Sequence, residues 1–103
     1  VTANNSSSFR AQQEQASTAQ ARRVLERAMS IDPTDAEPPY KLGVLLEDHV
    51  GDLAGAEQLY RVALDKRPTF ADAAGRLGRM LQWRGQSLSE AEKLYRDALA
   101  ADE

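Results

Sequence analysis

The chain contains no cysteine. That excludes disulfides, thiol catalysis and thiolate metal sites, and it leaves the redox compartment open. Basic residues do not outnumber acidic ones: 13 Lys and Arg face 16 Asp and Glu, for a net charge of −3. A broad basic field of the kind that drives non-specific nucleic-acid binding is therefore missing. No apolar run approaches the roughly 18 residues of a membrane-spanning helix. The opening Val1-Thr2-Ala3-Asn4-Asn5-Ser6-Ser7-Ser8 has neither a basic n-region nor an apolar h-region, so it is not a secretory signal. A first residue of Val rather than Met reads as an excised piece of a longer protein. No stretch alternates apolar and polar residues over a useful length, which argues against strands. What remains is an ordinary soluble composition, 42% apolar and 28% charged, in a 103-residue chain long enough for one modest core.

Against those absences stands one strong presence. Ala56-Glu57-Gln58-Leu59-Tyr60-Arg61-Val62-Ala63-Leu64 occurs again, with seven of nine positions identical, as Ala91-Glu92-Lys93-Leu94-Tyr95-Arg96-Asp97-Ala98-Leu99. The offset is 35 residues, and a fainter copy, Ala21 to Met29, lies one further step back. A period of this length signals stacked structural repeats.

The helices follow from stripes and stops. Ala21, Val24, Leu25, Ala28 and Met29 recur at helical spacing, which predicts a helix over 18–31. Residues 9–17 extend it by propensity rather than burial. The polar Asn/Ser tract of residues 1–8 is expected to be disordered. Asp32-Pro33 ends the helix, because a residue before proline is pushed out of the α region. Thr34 with Glu37 has capping-box spacing for the next helix. Pro38 and Pro39 fall in its first turn, where amide donors lack intrahelical partners anyway. Gly51 ends that helix and Asp52 caps a third, closed by Pro68. A fourth starts at Thr69 or Phe70 and ends at Gly85, and a fifth is capped by Ser87 or Ser89. Short loops make neighbouring helices antiparallel.

Laid out this way, the chain resembles tetratricopeptide repeats (TPR), whose unit is two antiparallel helices. The residues that carry the resemblance are Leu42-Gly43, Gly51-Asp52, Ala56, Tyr60, Ala63 and Pro68 in one unit, and Leu77-Gly78, Gly85, Ala91, Tyr95 and Ala98 in the next. Ala21, Leu25, Ala28 and Pro33 supply a preceding half unit. The match covers about residues 18–101. It divides the chain into a polar tract (1–8), a long helix with the half repeat (9–33), and two repeats (34–68 and 69–103). The implied fold is an all-α, right-handed α-solenoid of about five helices. A glycine in mid-helix costs roughly 0.8–1 kcal/mol against Ala, so two at one register imply close approach by the partner helix, with Tyr60 and Tyr95 as wedges between repeats. The unit is 35 residues rather than the usual 34, with the extra residue before Gly51 in one copy and after Gly85 in the other. Pro39 and Ala74 stand where the family often has Trp, and the last closing proline would fall at Glu103. Half-a-TPR repeats of RNA-processing scaffolds share a signature like Ala21-Arg22-Arg23-Val24-Leu25-Glu26-Arg27-Ala28, but their first-helix aromatics are missing. Sel1-like repeats share the Leu-Gly pair and long turn but usually lack the closing proline.

Catalysis finds little to work with. His49, the one histidine, is adjacent to Asp48, and neighbours on a helix do not face each other. Glu47, Asp48 and Asp52 lack the surrounding loop of alternating oxygen ligands that calcium requires. The reading is therefore no enzyme, no catalytic residue, no metal and no cofactor. The resemblance instead implies a scaffold that binds a protein or peptide partner along the groove lined by the first helix of each pair. Register places Glu37, Tyr40, Val44, Glu47 and Asp48 there from one unit, and Asp72, Gly75, Arg79, Gln82 and Trp83 from the next, with Arg76 nearby. Arg79 and Trp83, four apart, would form an exposed cation–π contact of the kind found at binding hot spots. Family members that grip a C-terminal carboxylate use a Lys/Asn set where Tyr40 and Val44 stand here, so that mode is disfavoured. The alternative is an RNA-processing scaffold or RNA-binding repeat. Four basic against seven acidic residues over 34–68 oppose it, since counterion-release binding needs clustered Lys and Arg. Stacked repeats also need capped ends, so self-association as a homo-oligomer through the end helices is a further expectation. No membrane association is expected, and the compartment, cytoplasm or nucleus, is left open.

Overall fold

The computed structural model of the chain describes residues 2–85 and 88–101. Five α-helices follow one another among them: α1 (Thr2–Ile31), α2 (Glu37–Leu45), α3 (Leu53–Lys66), α4 (Ala71–Trp83) and α5 (Leu88–Ala101). A π-helical turn, Leu46–Val50, prolongs α2. Helices α2 and α3 form one antiparallel hairpin and α4 and α5 a second, with α1 against α2 and α3 against α4 joining the stack. The radius of gyration is 16.3 Å, against about 13 Å for a compact 100-residue domain. Stacking in one direction, rather than wrapping a central core, produces that elongation.

Local sequence explains most boundaries. Asp52 caps α3 by accepting from the Gly55 amide at 2.9 Å, a contact worth about 1 kcal/mol. Gly51 and Gly85 turn the chain at φ +80° and +70°, a backbone region that costs other L-residues roughly 1–2 kcal/mol. The extra residue before Gly51 is absorbed by the π turn. There the Gly51 amide reaches back five residues to the Leu46 carbonyl at 2.8 Å, and the Asp52 amide shares the same oxygen at 3.0 Å. The corresponding residue after Gly85, and the Ser87 cap, lie outside the described residues.

Three expectations are corrected. Thr34 does not cap α2. Its amide and hydroxyl are both taken by Asp32 Oδ1, at 3.0 and 2.6 Å, while Asp35 accepts from the Glu37 amide at 3.0 Å. The Asp32 carboxylate outcompetes the capping box, so the helix starts three residues later than Thr34. Ser89 lies inside α5 rather than at its cap. Helix α1 begins at Thr2 and so includes the Asn/Ser tract expected to be disordered. Extending an existing helix needs no new nucleus, which is the costly step.

The core runs between the hairpins. Leu46, Ala56, Tyr60, Leu77, Met80, Leu81 and Ala91 form one buried cluster spanning both units. Ala36, Ala63, Phe70 and Ala73 form a second at the α3–α4 junction. Tyr60 is fully buried, and a side chain of that size contributes about 2–3 kcal/mol. The glycines make room for its ring rather than for a backbone. A Cβ at Gly43 would stand 2.7 Å from Tyr60 Cε1, and one at Gly78 would stand 2.8 Å from Tyr95 Cε1. The same ring-on-glycine contact therefore recurs after 35 residues.

Candidate functional site

The first helices of the two hairpins, α2 with its π turn and α4, present the face on which the sequence places a groove. Glu47, in the π turn, is its centre. Its Oε1 accepts from the Tyr60 hydroxyl at 2.6 Å and from Arg76 Nη1 at 3.3 Å. Its other oxygen lies 3.7 Å from Arg79 Nη2. Arg76 Nη1 also lies 3.5 Å from Asp48 Oδ1. The Glu47 side chain is only 16% exposed, and a carboxylate so placed needs several donors to offset lost hydration. Two hydrogen-bond donors and a third, longer-range cation from α3 and α4 surround it, so the first helices of the two units are held together through one carboxylate.

The ionisation states follow from this arrangement. Burial pushes the Tyr60 phenol up, and the bond to Glu47 and its negative charge push it further, so the hydroxyl stays protonated and donates. Burial alone would pull the Arg76 guanidinium down. Its contacts with the Tyr60 hydroxyl and the Glu47 carboxylate carry it above its ordinary value.

Four of the anticipated groove residues, Glu47, Asp48, Arg76 and Arg79, thus come together in one network. Tyr40 instead packs by its ring, with centroids 5.9 Å from Tyr60 and 4.9 Å from Phe70. Val44 is half-buried against the main core cluster. Gln82 accepts from the Tyr95 hydroxyl at 3.2 Å. Trp83 stands at the end of α4 with 81% of its surface exposed. The expected Arg79–Trp83 pairing is not what Arg79 does, since its guanidinium turns toward Glu47, whose charge outweighs a ring quadrupole. Among the described residues the cation–π contact is Arg67 over Phe70, at 4.2 Å. Arg67 also reaches Glu37 at 3.4 Å.

Sequence reasoning missed the role of the tyrosine hydroxyls. The signal was present: Glu47 precedes Tyr60 by 13 residues and Gln82 precedes Tyr95 by 13, each offering a carbonyl-type oxygen. It also missed two ion pairs that tie α3 to the second unit, Arg61 to Glu90 of α5 and Glu57 to Arg84 at the end of α4, both at 2.6 Å. The hydrogen bond to Glu90 does most to raise the Arg61 guanidinium above its usual value. The imagined calcium ligands are otherwise engaged: Glu47 and Asp48 hold Arg76, and Asp52 caps α3. His49 is exposed at the end of the π turn.

Chemically the face offers a wall tied together through Glu47, with Arg79 and Trp83 among its accessible groups. Arg79 keeps 64% of its side chain exposed beyond its long contact with Glu47. Trp83 stands one helical turn on. Together they present an exposed guanidinium and an exposed indole.

No protein-family model matches the sequence, and no curated protein does. Among solved structures, that of MamA, a TPR-containing protein, is similar, with a TM-score of 0.69 and 27% sequence identity over 94% of this chain. The match takes in 53% of the MamA chain, so this chain spans about half of its length. With the internal 35-residue repeat, the two hairpins and the ring-on-glycine contact made twice, that likeness gives the fold as a TPR-like α-solenoid.

Proposed function

We propose that the chain is a protein–protein interaction module that holds a peptide or helix of a partner against the face formed by α2 and α4. The observation that carries this reading is Trp83, 81% exposed beside a half-free Arg79 on a wall fixed by the Glu47 network. Among the described residues little covers this large aromatic, and tryptophan and arginine are enriched where binding energy concentrates. Tyr40 and Val44 are spent on packing, and Glu47 and Arg76 on each other. Their role is to hold the wall rigid, which lowers the entropy cost of binding. The scaffold role common to TPR-like folds agrees with this reading.

Affinity capture with the chain and with the Trp83→Ala, Arg79→Glu double variant, side by side, tests it. Partners retained by the first and lost by the second support the groove. Retention unchanged by the double substitution overturns it. Filter binding with mixed RNA at low salt separates the RNA alternative: micromolar retention that falls steeply with salt would favour it over a protein partner.

A further inference from the structure

Moved back by one 35-residue step, the first hairpin falls entirely on α1. Its first helix with the π turn, 37–50, lands on 2–15, its turn on Ala16-Ser17, and its second helix, 53–66, on 18–31. The sequence keeps much of what that hairpin needs. Ser17 stands where Asp52 caps α3, and Gln20 follows three residues later, which is a capping box. Ala21 and Ala28 stand for the buried Ala56 and Ala63, and Ser8, small, stands for Gly43. The turn glycine is missing. Ala16 occupies the place of Gly51, which has φ +80°, and Gln15 that of Gly85, two steps on. Without glycine the left-handed turn is costly while the helix continues freely. Helix α1 accordingly runs straight through, and the first helix of the hairpin points away from the second.

The surface it would have covered is open. Val24 is 61% exposed, whereas Leu59, its counterpart, packs on the main core cluster. Phe9 is exposed, whereas its counterpart Val44 packs on the same cluster. Met80 is buried, but its counterpart Leu45 lines an open cleft between α1 and the end of α2, with Ala21, Arg22, His49 and Val50.

We propose that this surface docks a second copy of the chain. The two α1 helices pair antiparallel, and the first half of each supplies the missing first helix over residues 18–31 of the other. In the hairpin register Ser8 faces Leu25, as Gly43 faces Tyr60. The midpoint of that pair, between Ala16 and Ser17, is also the midpoint of α1. The register of a single hairpin is therefore already two-fold symmetric, so one exchange builds two hairpins in a closed, isologous dimer. The same register sets Glu14 within one turn of the other copy's Arg22, and Arg10 within one turn of its Glu26. Exchange is favoured over closure within one chain because Ala16 opposes the turn that closure needs. This inference does not depend on the groove assignment, since it rests on α1 and involves neither Arg79 nor Trp83.

Because the chain has no cysteine, single-cysteine variants report the pairing directly. Ser8→Cys and Leu25→Cys, carried on separate chains and mixed under mild oxidation, are expected to form a disulfide-linked heterodimer. Ser8→Cys alone is not, because its two copies would lie about 25 Å apart along the pair. In sedimentation equilibrium the unmodified chain should show a concentration-dependent dimer. Glu14→Arg or Arg22→Glu alone should weaken it, and the two combined in one chain should restore it. Ala16→Gly should lower the association constant, since a glycine there admits the left-handed turn that closes the hairpin within one chain. A monomer at every concentration overturns the proposal. So does a disulfide that forms only within a single chain carrying both cysteines, or Ser8→Cys alone linking as readily as the mixture.

Discussion

Replacing Gly43 with alanine tests the packing argument where it is most quantitative. On helix propensity alone the change stabilises by about 0.8–1 kcal/mol. The new methyl, however, would stand 2.7 Å from Tyr60 Cε1 and 2.9 Å from Cδ1, where carbon atoms prefer about 3.5–4.0 Å. Tyr60 is fully buried, and its hydroxyl is tied to Glu47 at 2.6 Å. Its ring cannot retreat without pushing on Leu77, Met80 and Leu81 of the next unit, which share its core cluster. Overpacking of this kind costs about 1–3 kcal/mol, so Gly43→Ala should destabilise by about 1 kcal/mol net. Gly78→Ala meets the Tyr95 ring at 2.8 Å, but that ring is only half-buried and its bond to Gln82 is exposed. It can swing outward, so this substitution should be neutral or stabilising by about 0.5 kcal/mol. Urea unfolding of both variants gives the comparison through the midpoint at unchanged slope. Gly43→Ala as stable as Gly78→Ala, or more so, would refute the reasoning. Tyr60→Leu should remove the penalty and leave the propensity gain, a coupling of about 2 kcal/mol in the double-mutant cycle.

Other consequences are simpler to state. Asp52→Ala should cost about 1 kcal/mol by thermal unfolding, a loss of roughly 4–8 °C, because the Gly55 amide loses its acceptor. The Tyr60 phenol is raised by burial and then by Glu47. The unfolded chain thus ionises first at alkaline pH, and stability should fall as pH climbs above the ordinary tyrosine value of 10. Tyr60→Phe should flatten that part of the pH–stability curve. Asp32 is held below its ordinary value by the Thr34 hydroxyl and amide. Its contribution is present above the unfolded value and lost as pH falls through the folded one, and Asp32→Asn should remove that acid-side slope. Trp83→Ala should change stability by less than about 0.5 kcal/mol, because the ring is 81% exposed. A loss of several degrees in melting temperature would place that ring in the core instead.

The helices and their order were legible because each is bracketed by residues with one physical meaning. Pro33 and Pro68 close, Gly51 and Gly85 turn, and Asp52 caps. The pairing of Gly43 with Tyr60 was legible only as a shared register, and its form, a ring laid on a glycine, needed coordinates. Choices among equivalent donors were not legible. Thr34, Asp35 and Asp32 all have capping chemistry, and which carboxylate takes which amide depends on how the Pro33 turn closes. The candidate site was half legible. Register placed Glu47, Asp48, Arg76 and Arg79 on one face, and the structure brings them together. That Glu47 would be held by a tyrosine hydroxyl and two arginines was not, because the arginines lie about 30 residues away in another unit. Trp83 was singled out for a contact with Arg79, which turns to Glu47 instead.

Two tyrosine rings lie on two glycines one repeat apart, and NMR reads that contact directly. In the free chain, the α-protons of Gly43 and Gly78 should both be shifted upfield by ring current and show cross-relaxation to the Tyr60 and Tyr95 rings respectively. Ordinary helical shifts at both glycines, with no cross-relaxation to either ring, would contradict it.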